Sequence, residues 1–180
     1  MTLLKTGLLG ISLEDADLFE DYVRTWSISG SAFLQSAWSM NPDGYTAEIS
    51  ERGKRILDAA NRVRSELIPP LEELKSEFAL NCGNTLSNCR SLFSYLEKIS
   101  LSDNLSSYAE NALLSGDTKT AGEILRLYDY ILSALTDIAT VLGDCDMTAD
   151  ELATAVEIML RNTDIGSVPA MSQYVTVGSA

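Results

Sequence analysis

The chain has 180 residues, 46% of them hydrophobic and 22% charged, proportions that make a single globular domain with one ordinary core and exclude a disordered tail. Its 13 basic and 26 acidic residues leave a net charge of −13, which argues against autonomous binding to a phosphate backbone. Histidine is absent, and with it go the commonest general base, the commonest metal ligand and every Ser-His or Cys-His arrangement.

Helical period dominates the chain in order. After Gly10, Ser12 and Asp15 form a capping box, and Phe19, Tyr22, Val23 and Trp26 share one face of a helix reaching about residue 26. Gly30, Asn41, Pro42 and Gly44 then punctuate a loop whose Phe33, Leu34, Trp38 and Tyr45 call for burial. Ile56, Ala60, Val63 and Leu67 mark a second helix, which Pro69-Pro70 should end or kink before Leu71, Leu74 and Phe78 resume the period.

Asn84 caps a helix with Leu86, Cys89, Phe93 and Leu96 inward, and a short helix bearing Leu105, Tyr108 and Ala109 follows Asp103, closed by Gly116. The longest helix is expected over residues 117–142, with Ile124, Tyr128, Ile131, Leu135, Ile138 and Leu142 on its core side and Gly143 as its C-terminal cap. Thr148 and Glu151 form another capping box ahead of Leu152, Ala155, Val156 and Met159. The end differs in kind: Tyr174-Val175-Thr176-Val177-Gly178 is a β-branched run with strand character and no partner strand in this sequence, as though the chain had been cut from a larger sheet.

Candidate chemistry is sparse. Cys82, Cys89 and Cys145 lack zinc or redox spacing and read as reduced thiols, while no apolar run is long enough for a membrane span; a soluble cytoplasmic chain is expected. Residues 143–151 suggest a calcium loop, but counting from Asp144 puts Ala149 where a turn glycine is required and Ala155 where the bidentate glutamate belongs. Gly53-Lys54-Arg55 lacks the upstream glycine and the following hydroxyl of a P-loop. Glu14, Asp15, Asp17, Glu20 and Asp21 could supply paired carboxylates, but as a charge run they read as a solvated face. Trp26 and Trp38 have no basic groove beside them and read as core.

Three stretches go further. Leu4-Lys5-Thr6-Gly7-Leu8, then Asp17-Leu18-Phe19-Glu20-Asp21-Tyr22-Val23, then Trp26-Ser27-Ile28-Ser29-Gly30 resemble a segment of the B subunit of the bacterial AddAB/RexAB-type ATP-dependent helicase/nuclease. Asn41-Pro42-Asp43-Gly44-Tyr45, Ile68-Pro69-Pro70-Leu71 and Val168-Pro169 before Val175-Thr176-Val177-Gly178-Ser179-Ala180 continue the likeness. Ser27 stands where the family has glycine, which argues against a positive φ there, and Ser172-Gln173-Tyr174 replace the usual Leu-Asp-Gln.

The resemblance implies subdomain 2B, a helical insertion between helicase motifs IV and V. Residues 1–170 would form an all-α domain of about six helices, and residues 171–180 a short extended segment opening a strand of the parent RecA-like motor. It further implies a non-catalytic part of a machine for double-strand-break repair and recombination, positioning DNA or its partner subunit. ATP, magnesium and an iron-sulfur cluster would belong to the parent complex. The partners would be the rest of the parent protein, the A-type helicase/nuclease subunit and, in the full complex, DNA. Lys5, Thr6, Gly7, Tyr22, Trp26, Gly30, Thr176, Gly178 and Ser179 are the motif positions it singles out, as structural or DNA-proximal residues, with no catalytic, cofactor or metal role. The alternative is a free-standing helical protein-interaction domain.

Overall fold

The computed structural model describes residues 2–45 and 48–162. Among them the chain is all-α, with six α-helices and no strand: α1 (Leu13–Thr25), α2 (Glu51–Leu80), α3 (Thr85–Lys98), α4 (Leu101–Leu114), α5 (Thr118–Leu142) and α6 (Ala149–Asn162), plus 3₁₀ turns at Thr2–Thr6 and Gly30–Leu34. The expected strand at 174–177, with Thr176, Gly178 and Ser179, lies outside the described residues.

The helices start where side-chain oxygens can take up their free N–H groups. Ser12 Oγ accepts from the Asp15 amide at 3.1 Å, Asn84 Oδ1 from Ser87 at 2.9 Å and Asp117 Oδ1 from Thr120 at 3.0 Å. At α6 both halves of a capping box form: the Glu151 amide donates to Thr148 Oγ1 (3.3 Å) and the Thr148 amide to Glu151 Oε2 (2.8 Å). The Asp15 carboxylate is instead engaged by Arg62 of α2 at 2.5 Å.

Pro69-Pro70 do not end the second helix. α2 runs through both for 30 residues, about 45 Å, and so exceeds the 25-residue α5, which the apolar period marks as the longest. Packing overrides the missing donors, because the first half of α2 lies on α1 and the second half on α3. α5 is central as expected, packing on α3, α4 and α6. Of its predicted stripe Leu135 and Ile138 are fully buried, while Ile124, Tyr128, Ile131 and Leu142 are half-buried; Ala121 and Ala134 complete the core side. α4 starts at Leu101, ahead of Asp103, because Ser100 at φ 51° turns the chain and sends Leu101 and Leu105 inward.

Three further side chains depart from the pattern. Phe93 is exposed, since α3 lies between α2 and α5 and buries Thr85, Asn88, Cys89, Ser91 and Tyr95 instead. Two of the buried polar groups are met at the α2 end, where Asn81 Nδ2 donates to Asn88 Oδ1 and Ser91 Oγ, each at 3.1 Å, while the Thr85 hydroxyl is buried without a partner. Tyr45 and Leu34 are exposed, whereas Trp38 in the same loop is buried. Gly143 ends α5 at φ −61°, so it is no left-handed cap. Beyond it the chain pairs antiparallel with the α2–α3 turn: the Thr85 amide donates to the Cys145 carbonyl (3.2 Å) and the Met147 amide to the Gly83 carbonyl (2.8 Å).

Candidate functional site

α1 gathers the described motif positions. The first 3₁₀ turn lies against it, and Lys5 Nζ bridges Asp17 Oδ1 at 2.9 Å and Glu20 Oε2 at 2.7 Å, while Arg24 takes the other Glu20 oxygen at 2.7 Å. Hydrogen bonding from Lys5 holds the Glu20 carboxyl below its usual range, and the two carboxylates hold the Lys5 ammonium well above its own. Thr6 closes the turn on itself, its hydroxyl donating to the Leu3 carbonyl at 2.7 Å and accepting the Leu8 amide at 3.3 Å. Gly7 sits at φ +71°, and a Cβ there would collide with the Tyr108 hydroxyl, which reaches over from α4 to donate to the Thr6 carbonyl at 3.0 Å.

The aromatic positions build the core behind this turn. Tyr22 is buried, stacks on Trp38 with centroids 5.6 Å apart and donates its hydroxyl to the Met40 carbonyl at 2.9 Å. Burial pushes its phenol up. Trp26 closes the end of α1 and meets Tyr45 edge-on at 5.0 Å, with its indole N–H buried and unpartnered. Ser27 follows in the left-handed region at φ +49°, against the expectation that a residue other than glycine would avoid a positive φ there. The cause is the closure of α1: the Ile28 amide reaches the Val23 carbonyl (2.9 Å) and the Ser27 amide the Arg24 carbonyl (3.2 Å), the two bonds of a Schellman motif. Gly30, at φ +54° with open space around it, begins the second 3₁₀ turn.

Sequence reasoning missed the residues that hold the Trp38 loop in place. Asn61 accepts the Trp38 amide at 2.8 Å and donates to its carbonyl at 2.9 Å, substituting for a strand partner. Arg64 donates to the carbonyls of Gln35 (2.6 Å) and Ser36 and lies 6.0 Å from the Trp38 ring centroid. A polar Asn61 beside Ala60 and Val63 on the apolar stripe is the one local signal for this contact. Arg62, Asn104 and Tyr108 left no such signal, because their partners are distant in sequence.

The arrangement anchors the N-terminal turn to α1. A carboxyl general acid needs a raised pKa, whereas hydrogen bonding from Lys5 holds Glu20 below its usual range, and Asp15 and Asp17 are engaged by Arg62 and Lys5. Gly53 and Lys54 lie in the first turn of α2, the Gly53 amide donating to the Ser50 cap and Lys54 pairing with Glu51 at 2.7 Å. In the acidic loop the Glu151 carboxylate accepts from both the amide and the hydroxyl of Thr148. Among the described residues no group of three or more His, Cys, Asp or Glu side chains could hold a metal ion. Cys89 is buried, and burial pushes its thiol up. Among the described residues no helix is long and apolar enough to cross a membrane.

No protein-family model matches the chain. Curated relatives do. The chain is 29% identical over 178 residues to the B subunit of an ATP-dependent helicase/deoxyribonuclease from Acetivibrio thermocellus, the match covering 98% of this chain and 15% of that protein. Relatives of the same description occur in Caldanaerobacter subterraneus subsp. tengcongensis, 28% identical over 98% of this chain and 15% of the relative, and in Desulforamulus reducens, 26% identical over 98% and 16%. The chain therefore spans about a seventh of the length of the relatives it matches. The resemblance carried by the residues around α1 extends from end to end, and the chain is similar to one domain-sized segment of the B subunits of ATP-dependent helicase/deoxyribonucleases.

Proposed function

We propose that this chain is a non-catalytic helical insertion of an ATP-dependent helicase/exonuclease subunit acting in double-strand-break repair and recombination. It corresponds to subdomain 2B, between helicase motifs IV and V, and positions DNA or the partner subunit. The observation that carries this reading is the end-to-end similarity to a segment of the B subunits. The locked carboxylates support the non-catalytic part, since Lys5, Glu20 and Asp17 are spent on fixing the N-terminal turn to α1.

The parent's ATP, magnesium and iron-sulfur chemistry is assigned to no residue of this chain. Contact with DNA belongs to the complete complex, where other basic surfaces offset a charge of −13. The partners are the remainder of the parent protein and the A-type subunit, in the bacterial cytoplasm. In this reading residues 171–180 open a strand of the motor domain, with Thr176, Gly178 and Ser179 at its motif V end.

Hydrogen exchange on this chain and on the full-length parent protein tests the proposal. Residues 175–177 are expected to be protected in the full-length protein alone. Strong, concentration-independent protection of the same amides in the monomeric chain would refute it. The purified chain is also expected to turn over neither ATP nor labelled DNA with magnesium present, and activity that scales with the protein through further purification would overturn the non-catalytic reading.

A further inference from the structure

We infer that the chain bends about a waist at Pro69-Pro70, where two separately packed modules meet, and that the Tyr108 hydroxyl and the Asn104 amide latch this waist. The first module is built on α1, with Phe19, Tyr22, Val23, Trp38, Ala60 and Val63 in one buried cluster. A second cluster joins Cys89, Ile138 and Leu152 to Phe78 and Val156. α2 contributes Ala60 and Val63 to the first and Phe78 to the second. Among the described residues α1 packs chiefly on α2 and the first 3₁₀ turn, with at most slight contact to α3–α6.

Between the clusters the α2 ladder is interrupted. Pro69 and Pro70 have no N–H, so the Ser65 and Glu66 carbonyls lose their i→i−4 donors at consecutive positions, and with them the bonds that resist bending. A solvent-open cleft of about 360 Å³ lies at the same level, walled by Ile11, by Glu66 and Pro70 of α2, and by Tyr95, Lys98 and Asn104. The cleft opens to solvent, so at this level the two modules meet over a reduced contact, and close packing holds the angle between them less firmly than it holds either cluster.

Two side chains span the gap. Tyr108 donates to the Thr6 carbonyl at 3.0 Å, and Asn104 Nδ2 donates to the Leu8 carbonyl at 3.0 Å and the Ile99 carbonyl at 2.9 Å. The Lys98–Glu73 pair at 2.6 Å joins α3 to the second half of α2 and lies within the second module. The latch consists of side-chain bonds to backbone, so it opens without unpacking either cluster. When it opens, the turn carrying Lys5, Thr6 and Gly7 moves with α1 relative to α3–α6. This inference concerns the chain itself and stands apart from the helicase reading.

Hydrogen exchange on the full chain tests it, comparing the wild type with Tyr108→Phe and Asn104→Ala, each with and without Pro69→Ala and Pro70→Ala. Tyr108→Phe keeps the ring and removes only the donor, so folding is preserved. In either latch variant the amides of residues 6–10 and 71–74 are expected to exchange about 5- to 30-fold faster, the factor that one or two lost hydrogen bonds supply. Residues 19–23 and Ile138 should keep their protection. Replacing the prolines should return residues 71–74 to the wild-type rate. Uniform acceleration through both clusters, unchanged exchange at the waist, or acceleration of residues 71–74 that survives the proline replacements would each overturn the inference.

Discussion

Replacing Ser27 by glycine is expected to stabilise the chain, even though it deletes a side chain. Ser27 is exposed, so no packing is lost, but it sits at φ +49° because the Ile28–Val23 and Ser27–Arg24 bonds close α1 there. An L-residue in that region costs about 1–2 kcal/mol, whereas glycine's added freedom in the unfolded chain costs about 0.5–1 kcal/mol, leaving a net gain of about 0.5–1 kcal/mol. Ile28 and Val23 share the buried cluster, which keeps the closure in place and prevents the strain from relaxing by fraying. With a urea slope of about 2 kcal/mol/M, the unfolding midpoint should rise by about 0.3–0.5 M at unchanged slope. Ser27→Val, β-branched, should shift it the other way. A midpoint that falls for glycine, or stays put for valine, would refute the claim that the helix closure stores this strain.

Leu135→Ala removes a buried side chain from the central helix and should cost about 2–5 kcal/mol in urea melts, a loss under about 0.5 kcal/mol placing it at the surface. Tyr22→Phe leaves the Met40 carbonyl without its donor and should cost about 1 kcal/mol in the same assay. The Glu151 carboxyl is held below its usual range, chiefly by the Thr148 amide. Because its folded pKa lies below the unfolded one, its contribution is complete above the unfolded value and is lost as pH falls through the folded value. The gap in urea midpoint between wild type and Glu151→Gln should therefore be present at about pH 6 and narrow steadily as pH falls below the ordinary glutamate range. A gap that persists in acid would show that the carboxylate charge is not what caps α6.

What could be read from the sequence was what is decided locally. Ser12, Asn84, Asp117 and Thr148 each take a donor within three residues, so the starts of α1, α3, α5 and α6 follow from short motifs. The passage of α2 through Pro69-Pro70 does not, because it depends on neighbours that arrive from α1 and α3. Likewise Phe93 has the spacing of a core residue, but α3 lies between two helices and buries Thr85 and Asn88. The acidic run on α1 reads as a solvated face until Lys5 and Arg62 are placed beside it. Of the candidate site, family likeness singled out Lys5, Gly7, Tyr22 and Trp26, and spacing alone would have left them as core and surface. Tyr108, whose hydroxyl occupies the space a Gly7 side chain would need, carries no mark in its own neighbourhood.

The antiparallel bridge between the α2–α3 and α5–α6 turns has a kinetic consequence. Its two bonds, Thr85 to Cys145 and Met147 to Gly83, join stretches with all of α3, α4 and α5 between them. Closing so long a loop costs more chain entropy than two hydrogen bonds return, so the bridge has to wait until α3 and α5 have packed. It is then among the last contacts made in folding, and its mutation should speed unfolding while leaving the folding rate nearly unchanged.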